Sequence, residues 1–98
     1  MLEELTRTIT ERVDGKSAMG FNVKFDLGDT GMIFVAGLNA PIQVSNEDGD
    51  AATTIIMAAE DFAAMLRGEL SSMNAFMMGK LRIEGSMEKA MQLGTLFS

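Results

Sequence analysis

The side chains able to carry covalent or acid–base chemistry are few. The 98-residue sequence contains no Cys and no His. That removes thiolate nucleophiles, disulfides, Cys/His zinc sites, haem ligation and imidazole general bases. Fourteen Asp and Glu remain, and two carboxylates in one site can act as acid and base. No spacing singles out such a pair. Glu60-Asp61 opens a predicted helix, where carboxylates complement the helix dipole. Ser71-Ser72 precedes another helix and reads as a cap rather than a nucleophile, since no His can activate it. Gly28-Asp29-Thr30-Gly31 lacks the downstream Gly-Lys-Ser/Thr of a phosphate loop, and Gly79-Lys80 is followed by Leu81. Asn46-Glu47-Asp48-Gly49-Asp50 has the composition of a calcium loop but not its spacing. With Gly49 at the sixth position, Val44 falls on the first ligand position. It reads as a solvated tight turn. No catalytic residue, metal ligand or cofactor is assigned, and the inventory points to binding rather than catalysis.

Composition sets the kind of binding. Eight Lys and Arg against 14 Asp and Glu give a formal charge of −6, which argues against nucleic acid as a partner. Apolar residues make up 47% of the chain, as in a globular protein. The length predicts one domain over residues 1–98. No apolar run reaches the roughly 18 residues of a membrane-spanning helix. Glu3 and Glu4 stand where a secretion signal is basic, and Leu96-Phe97-Ser98 is not a peroxisomal address. The expectation is a soluble cytoplasmic protein. Ten residues are Met, and all six aromatics are Phe. Met is flexible and polarizable, so it fills irregular cores and also lines adaptable cavities. Composition alone leaves both readings open.

The elements follow from periodicity. Leu2, Leu5, Ile9 and Val13 recur at spacings of three and four, which predicts an amphipathic helix stopped by Asp14-Gly15. That helix either packs on a sheet or moves as a lid or membrane-facing element. Phe21, Val23, Phe25 and Leu27 alternate with polar residues, predicting a half-buried strand. Gly28–Gly31 reads as a hairpin turn. The continuous apolar run 32–36 predicts a strand covered on both faces. Short strands follow at 42–44 and 53–58. Helices are expected at about 60–67, with Phe62, Met65 and Leu66 on one face, and at 72–78, with Met73, Phe76 and Met77 on one face. Leu81 and Ile83 face inward on a strand over 80–84, with Lys80, Arg82 and Glu84 outward. Ser86 caps a last helix over 87–97, whose Met87, Ala90 and Met91 share a face while Leu93 and Phe97 form an adjacent line. Lys80, Arg82 and Lys89 either hold an anionic headgroup or line a solvated face. The order helix, four strands, two helices, strand, helix predicts an α+β fold with helices on a mainly antiparallel sheet.

The C-terminal third carries a resemblance. The run Met73-Asn74-Ala75-Phe76-Met77-Met78-Gly79-Lys80-Leu81-Arg82-Ile83-Glu84-Gly85-Ser86-Met87, followed by Ala90-Met91 and Leu93, resembles the sterol carrier protein-2 family. Upstream, Thr54-Ile55-Ile56-Met57, then Asp61-Phe62 and Leu66-Arg67-Gly68, resembles the strand-to-helix passage of that family. The resemblance spans roughly residues 1–97, and its specific part about 53–93. It implies a five-stranded sheet with helices on one face and an apolar tunnel between them. It implies non-enzymatic binding and transfer of fatty acids, acyl-CoA esters, sterols or other lipids, without a metal or prosthetic group. The short N-terminus and the early end depart from larger members and suggest a stand-alone prokaryotic domain.

The physical basis of such binding is general. Moving an alkyl chain from water into an apolar cavity gains about 0.8 kcal/mol per methylene, near 10 kcal/mol gross for a chain of about fourteen carbons. Ordering costs reduce that sum. The expected lining is Phe62, Met65, Leu66, Met73, Phe76, Met77, Met87 and Met91 from the helices, with Leu81 and Ile83 as the floor. For each of these a core-only role fits the same pattern. Two further readings stand beside the carrier. One is an accessory domain that binds a partner enzyme or presents an isoprenoid or quinone-type substrate. The other is a self-associating domain such as a homodimer. In the carrier reading the terminal helices move, and membrane contact is transient.

Overall fold

The computed structural model describes residues 1–94. The chain runs through α1 (Leu2–Val13), β1 (Val23–Asp26), a 3-10 turn (Gly28–Thr30), β2 (Met32–Ala36), β3 (Gln43–Ser45), β4 (Thr53–Met57), α2 (Ala59–Leu66), α3 (Ser72–Met77), β5 (Leu81–Gly85) and α4 (Met87–Met91). The five strands form one sheet in the order β3-β2-β1-β4-β5. Three neighbouring pairs are antiparallel, and the central β1–β4 pair is parallel. The α+β class, the five strands and the element order agree with the sequence reading. Residues 95–97 of the expected last helix, Phe97 among them, lie outside the described residues.

Register assigns the faces. Val35, Val23 and Thr53 stand in line across β2, β1 and β4, and so do Ile33, Phe25, Ile55 and Ile83 across β2, β1, β4 and β5. Directly paired residues project to the same side. These rows are buried except for the half-buried Ile83, and they meet the helices. Phe25 packs on Phe62 of α2, with ring centroids 5.0 Å apart and planes at 43°. Leu5, Ile9 and Val13 bury the apolar face of α1. This helix contacts β3 and α2, and the Arg12 guanidinium donates to the Leu66 carbonyl at the end of α2. α3 contacts β5, while α4 contacts β4 and β5. Ser71 and Ser86 cap α3 and α4, their hydroxyls accepting from the Asn74 and Lys89 amides at 3.1 Å each.

Two expectations need correction. Residues 32–36 form the expected strand, but only one of its faces is fully covered. Met32, Phe34 and Ala36 point to the opposite face and are half-buried there. Residues 46–50 do not close a tight turn but belong to a longer crossover over 46–52. Because β4 runs parallel to β1, the chain leaving β3 must travel back along the sheet before β4 can begin. It does so over the outer face. Asp48 pairs with Lys24 of β1, Gly49 lies against the Phe34 ring, and the Ala52 amide donates to the Asn22 carbonyl at 3.0 Å. The crossover therefore gives Phe34 its partial cover. The Lys24 ammonium bonds to Asp48 and, with the Gly49 amide, holds the carboxyl below its ordinary pKa.

Candidate functional site

At the β4–β5 end of the sheet the helical layer is thin. α3 has six residues and α4 has five. Within these spans Ala75 and Ala90 are the buried residues, and both are small. The larger Met73, Phe76, Met77, Met87 and Met91 on the same helices are exposed. A groove of about 340 Å³ opens between the two helices, within the usual range for small-molecule pockets. Ile55, Leu81 and Ile83 form its floor from the inner face of β4 and β5. Ser72, Met73 and Phe76 of α3 form one wall, and Met87, Ala90 and Met91 of α4 the other, with Gly94 beyond. Met73 and Phe76 are three residues apart, Met87 and Met91 four, so each pair shares a helical face. Among the described residues of this lining, Ser72 supplies the one polar side chain. The walls are open to solvent, so the described residues form a groove rather than an enclosed tunnel.

Six of the ten expected residues meet here: Met73, Phe76, Leu81, Ile83, Met87 and Met91. Phe62, Met65 and Leu66 do not. They are 0%, 1% and 7% exposed and belong to the core beneath α2. Met77 lies outside the lining and is exposed to solvent, as is Met78. Ile55, Ser72, Ala90 and Gly94 were not among the expected lining. Ile55 sits in a continuous apolar run that conceals which face it takes; its pairing with Ile83 decides that. The three basic residues of the C-terminal third do not converge. Lys80 approaches Asp61 at 3.9 Å, Lys89 lies 5.2 Å from the Phe21 ring centroid, and Arg82 points to the outer face of β5. None lines the groove.

A second depression of about 480 Å³ lies beside the end of α1 and the segment after α4. Lys16, Ser17 and Gln92 share its lining with Val13, Met19 and Phe21. Its mixed polarity suits water as well as any ligand, and the first groove is the apolar one. Among the described residues no group of acidic side chains could hold a metal ion, and no helix is long and apolar enough to cross a membrane.

The chain is thus a small α+β domain, a five-stranded mixed sheet with helices on one face and an apolar groove beneath the C-terminal ones. The model of the SCP-2 sterol transfer family matches residues 3–98, and the chain belongs to that family. Human sterol carrier protein 2 is 45% identical over 51 residues, which are 52% of this chain and 9% of the human protein. The match thus covers about a tenth of that much longer relative. The solution structure of sterol carrier protein-2 from Aedes aegypti in complex with palmitate superposes with a TM-score of 0.77 at 19% identity, covering 98% of this chain and 93% of that one. A UbiJ-SCP2 ubiquinone synthesis protein superposes with a TM-score of 0.62 at 19% identity, covering 95% and 76%.

Proposed function

We propose that the groove holds the hydrocarbon chain of a lipid, such as a fatty acid or fatty acyl ester, and that the protein carries this lipid and hands it on without changing it chemically. The carrying observation is the lining. Among the described residues its walls and floor are Met, Phe, Leu, Ile and Ala, with one hydroxyl, in a cleft already open to solvent. Each methylene placed there gains about 0.8 kcal/mol. Met73, Phe76, Leu81, Ile83, Met87 and Met91 contact the chain, and Ile55 and Ala90 complete the surface. Among the described residues the lining holds no cationic side chain, and the headgroup projects outward past Ser72 into water. Membership of the family supports this reading, and so does the likeness in fold to the palmitate-bound mosquito protein. We place the activity in the cytoplasm, as the sequence reading expects.

The likeness to a ubiquinone synthesis protein favours a second reading, in which the same groove presents a prenylated, quinone-type substrate to a partner enzyme. Native mass spectrometry of the purified protein, with analysis of lipid released on denaturation, separates the two. A fatty-acid or acyl-ester adduct supports the carrier. A prenylquinone adduct moves the assignment to the accessory role. A bare mass that persists after incubation with both ligand types sinks both readings.

A further inference from the structure

The chain holds ten Met but no Cys, His, Trp or Tyr. Thioethers are therefore its readily oxidised side chains. They divide sharply by position. Met57 and Met65 are 4% and 1% exposed in the core. Met19 and Met32 are half-buried. Met73, Met87 and Met91 are 63%, 46% and 71% exposed, and all three line the groove. Met1, Met77 and Met78 are exposed outside it.

We propose that Met73, Met87 and Met91 form an oxidative modification site through which a hydroperoxide empties the groove; the inference rests on the lipid-carrier reading. A sulfur lone pair attacks the distal oxygen of hydrogen peroxide and the O–O bond breaks. The departing hydroxide takes up the remaining hydroxyl proton to leave as water. Each sulfur is oxidised to the sulfoxide as the peroxide is reduced, so atoms and electrons balance. The product is polar where the thioether was apolar. A sulfoxide oxygen accepts hydrogen bonds from water, and an alkyl chain laid over it removes that water. Among the described residues, the groove walls offer one replacement side-chain donor, the Ser72 hydroxyl. Three new acceptors facing one donor disfavour the apolar ligand. Meanwhile the buried Met57 and Met65 are shielded, so the core survives the oxidation. The exposure that admits peroxide also admits a sulfoxide reductase, which makes the change reversible.

The test treats the full chain with hydrogen peroxide, maps the added oxygen by peptide mass spectrometry, and measures palmitate affinity and circular dichroism before and after. Met73, Met87 and Met91 gain oxygen ahead of Met57 and Met65. Palmitate affinity falls at least about tenfold with secondary structure retained, and methionine sulfoxide reductases restore it. Bound palmitate slows oxidation at these three positions but not at Met77 or Met78. A Met77→Leu/Met78→Leu variant binds as the parent does and remains peroxide-sensitive. A Met73→Leu/Met87→Leu/Met91→Leu variant is compared with itself, whatever its starting affinity; its ratio before and after peroxide stays near one. An oxidised parent that binds palmitate undiminished overturns the switch alone, as does a triple variant that still loses binding. If that variant does not fold, the palmitate-protection pattern decides, and equal oxidation of Met73 and Met77 under palmitate overturns the proposal. An untreated parent that binds no palmitate overturns the carrier reading and the switch together.

Discussion

Phe62 and Met87 are both apolar, and both sit on helices of the C-terminal half, yet they lie on opposite sides of the boundary between core and groove. Phe62 has no exposed surface and packs on Phe25, whereas Met87 is nearly half exposed at the groove wall. Phe62→Ala is therefore expected to cost about 3–5 kcal/mol of folding stability, measured by denaturant unfolding. Met87→Ser should change stability by no more than about 0.5 kcal/mol while weakening palmitate binding. Met77→Ser, outside the lining, should do neither; a loss of binding there equal to that at Met87 would falsify the groove assignment. The sequence pattern placed Phe62, Met65 and Leu66 together, and Met73, Phe76 and Met77 together, each on one helical face. It could not say that the first face would be roofed and the second left open. Helical period reports that a face is apolar; only the depth of the sheet beneath it decides whether that face is core.

Two elements carry constraints of different origin. Gly85 closes β5 at a φ of +86°, and an added Cβ would lie 2.5 Å from the Ala52 carbonyl oxygen. That same oxygen accepts the Ser86 amide at 2.9 Å, which ties the start of α4 to the sheet. Gly85→Ala combines backbone strain with a steric clash, and about 1–3 kcal/mol of destabilisation is expected in thermal unfolding. An unchanged melting temperature would show that β5 relaxes freely. The crossover over residues 46–52 depends on charge. Asp48 has its pKa lowered in the folded state by the Lys24 bond, the Gly49 amide and the Lys24 charge. A lowered folded value means that the contribution is present above the ordinary carboxylate pKa and is lost as pH falls through the folded one. Asp48→Asn should thus be slightly less stable than the parent at neutral pH and equal to it in acid. A difference that persists in acid would assign the effect to the loop backbone instead. This crossover was the least readable element. Asp48-Gly49 carries a local turn signature, while the need to span the sheet arises from the parallel pairing of β1 with β4, residues about thirty positions apart. The caps at Ser71 and Ser86, by contrast, are local devices, and the sequence showed them directly.

At the scale of the whole molecule, the proposed carrier would approach a membrane with a formal charge of −6. Like charges repel across a distance set by salt. Transfer of a fluorescent fatty acid to anionic vesicles should be slower than to zwitterionic ones at low ionic strength, and the gap should narrow as salt is added. Faster transfer to anionic vesicles would reveal a local basic docking patch. The element order and the α+β class were readable because each element carries its own period. The strand order β3-β2-β1-β4-β5 was not, since nothing local encodes which strands become neighbours. That order makes β5 an edge strand, and the groove follows from it.

The thin helical layer over that edge also has a consequence for motion. Helices of five and six residues are far below the roughly 12–15 that hold together alone in water. Here each is anchored within its span by a single buried alanine. Lifting them separates few apolar contacts, whereas parting β1 from β4 disrupts the centre of the sheet. Amide hydrogens in 73–78 and 88–92 should accordingly exchange well before those of Phe25 and Ile55. On the proposed carrier reading, the walls of the lipid groove are then also the part of the protein that unfolds first, so the grip on a bound chain is set by a local unfolding equilibrium.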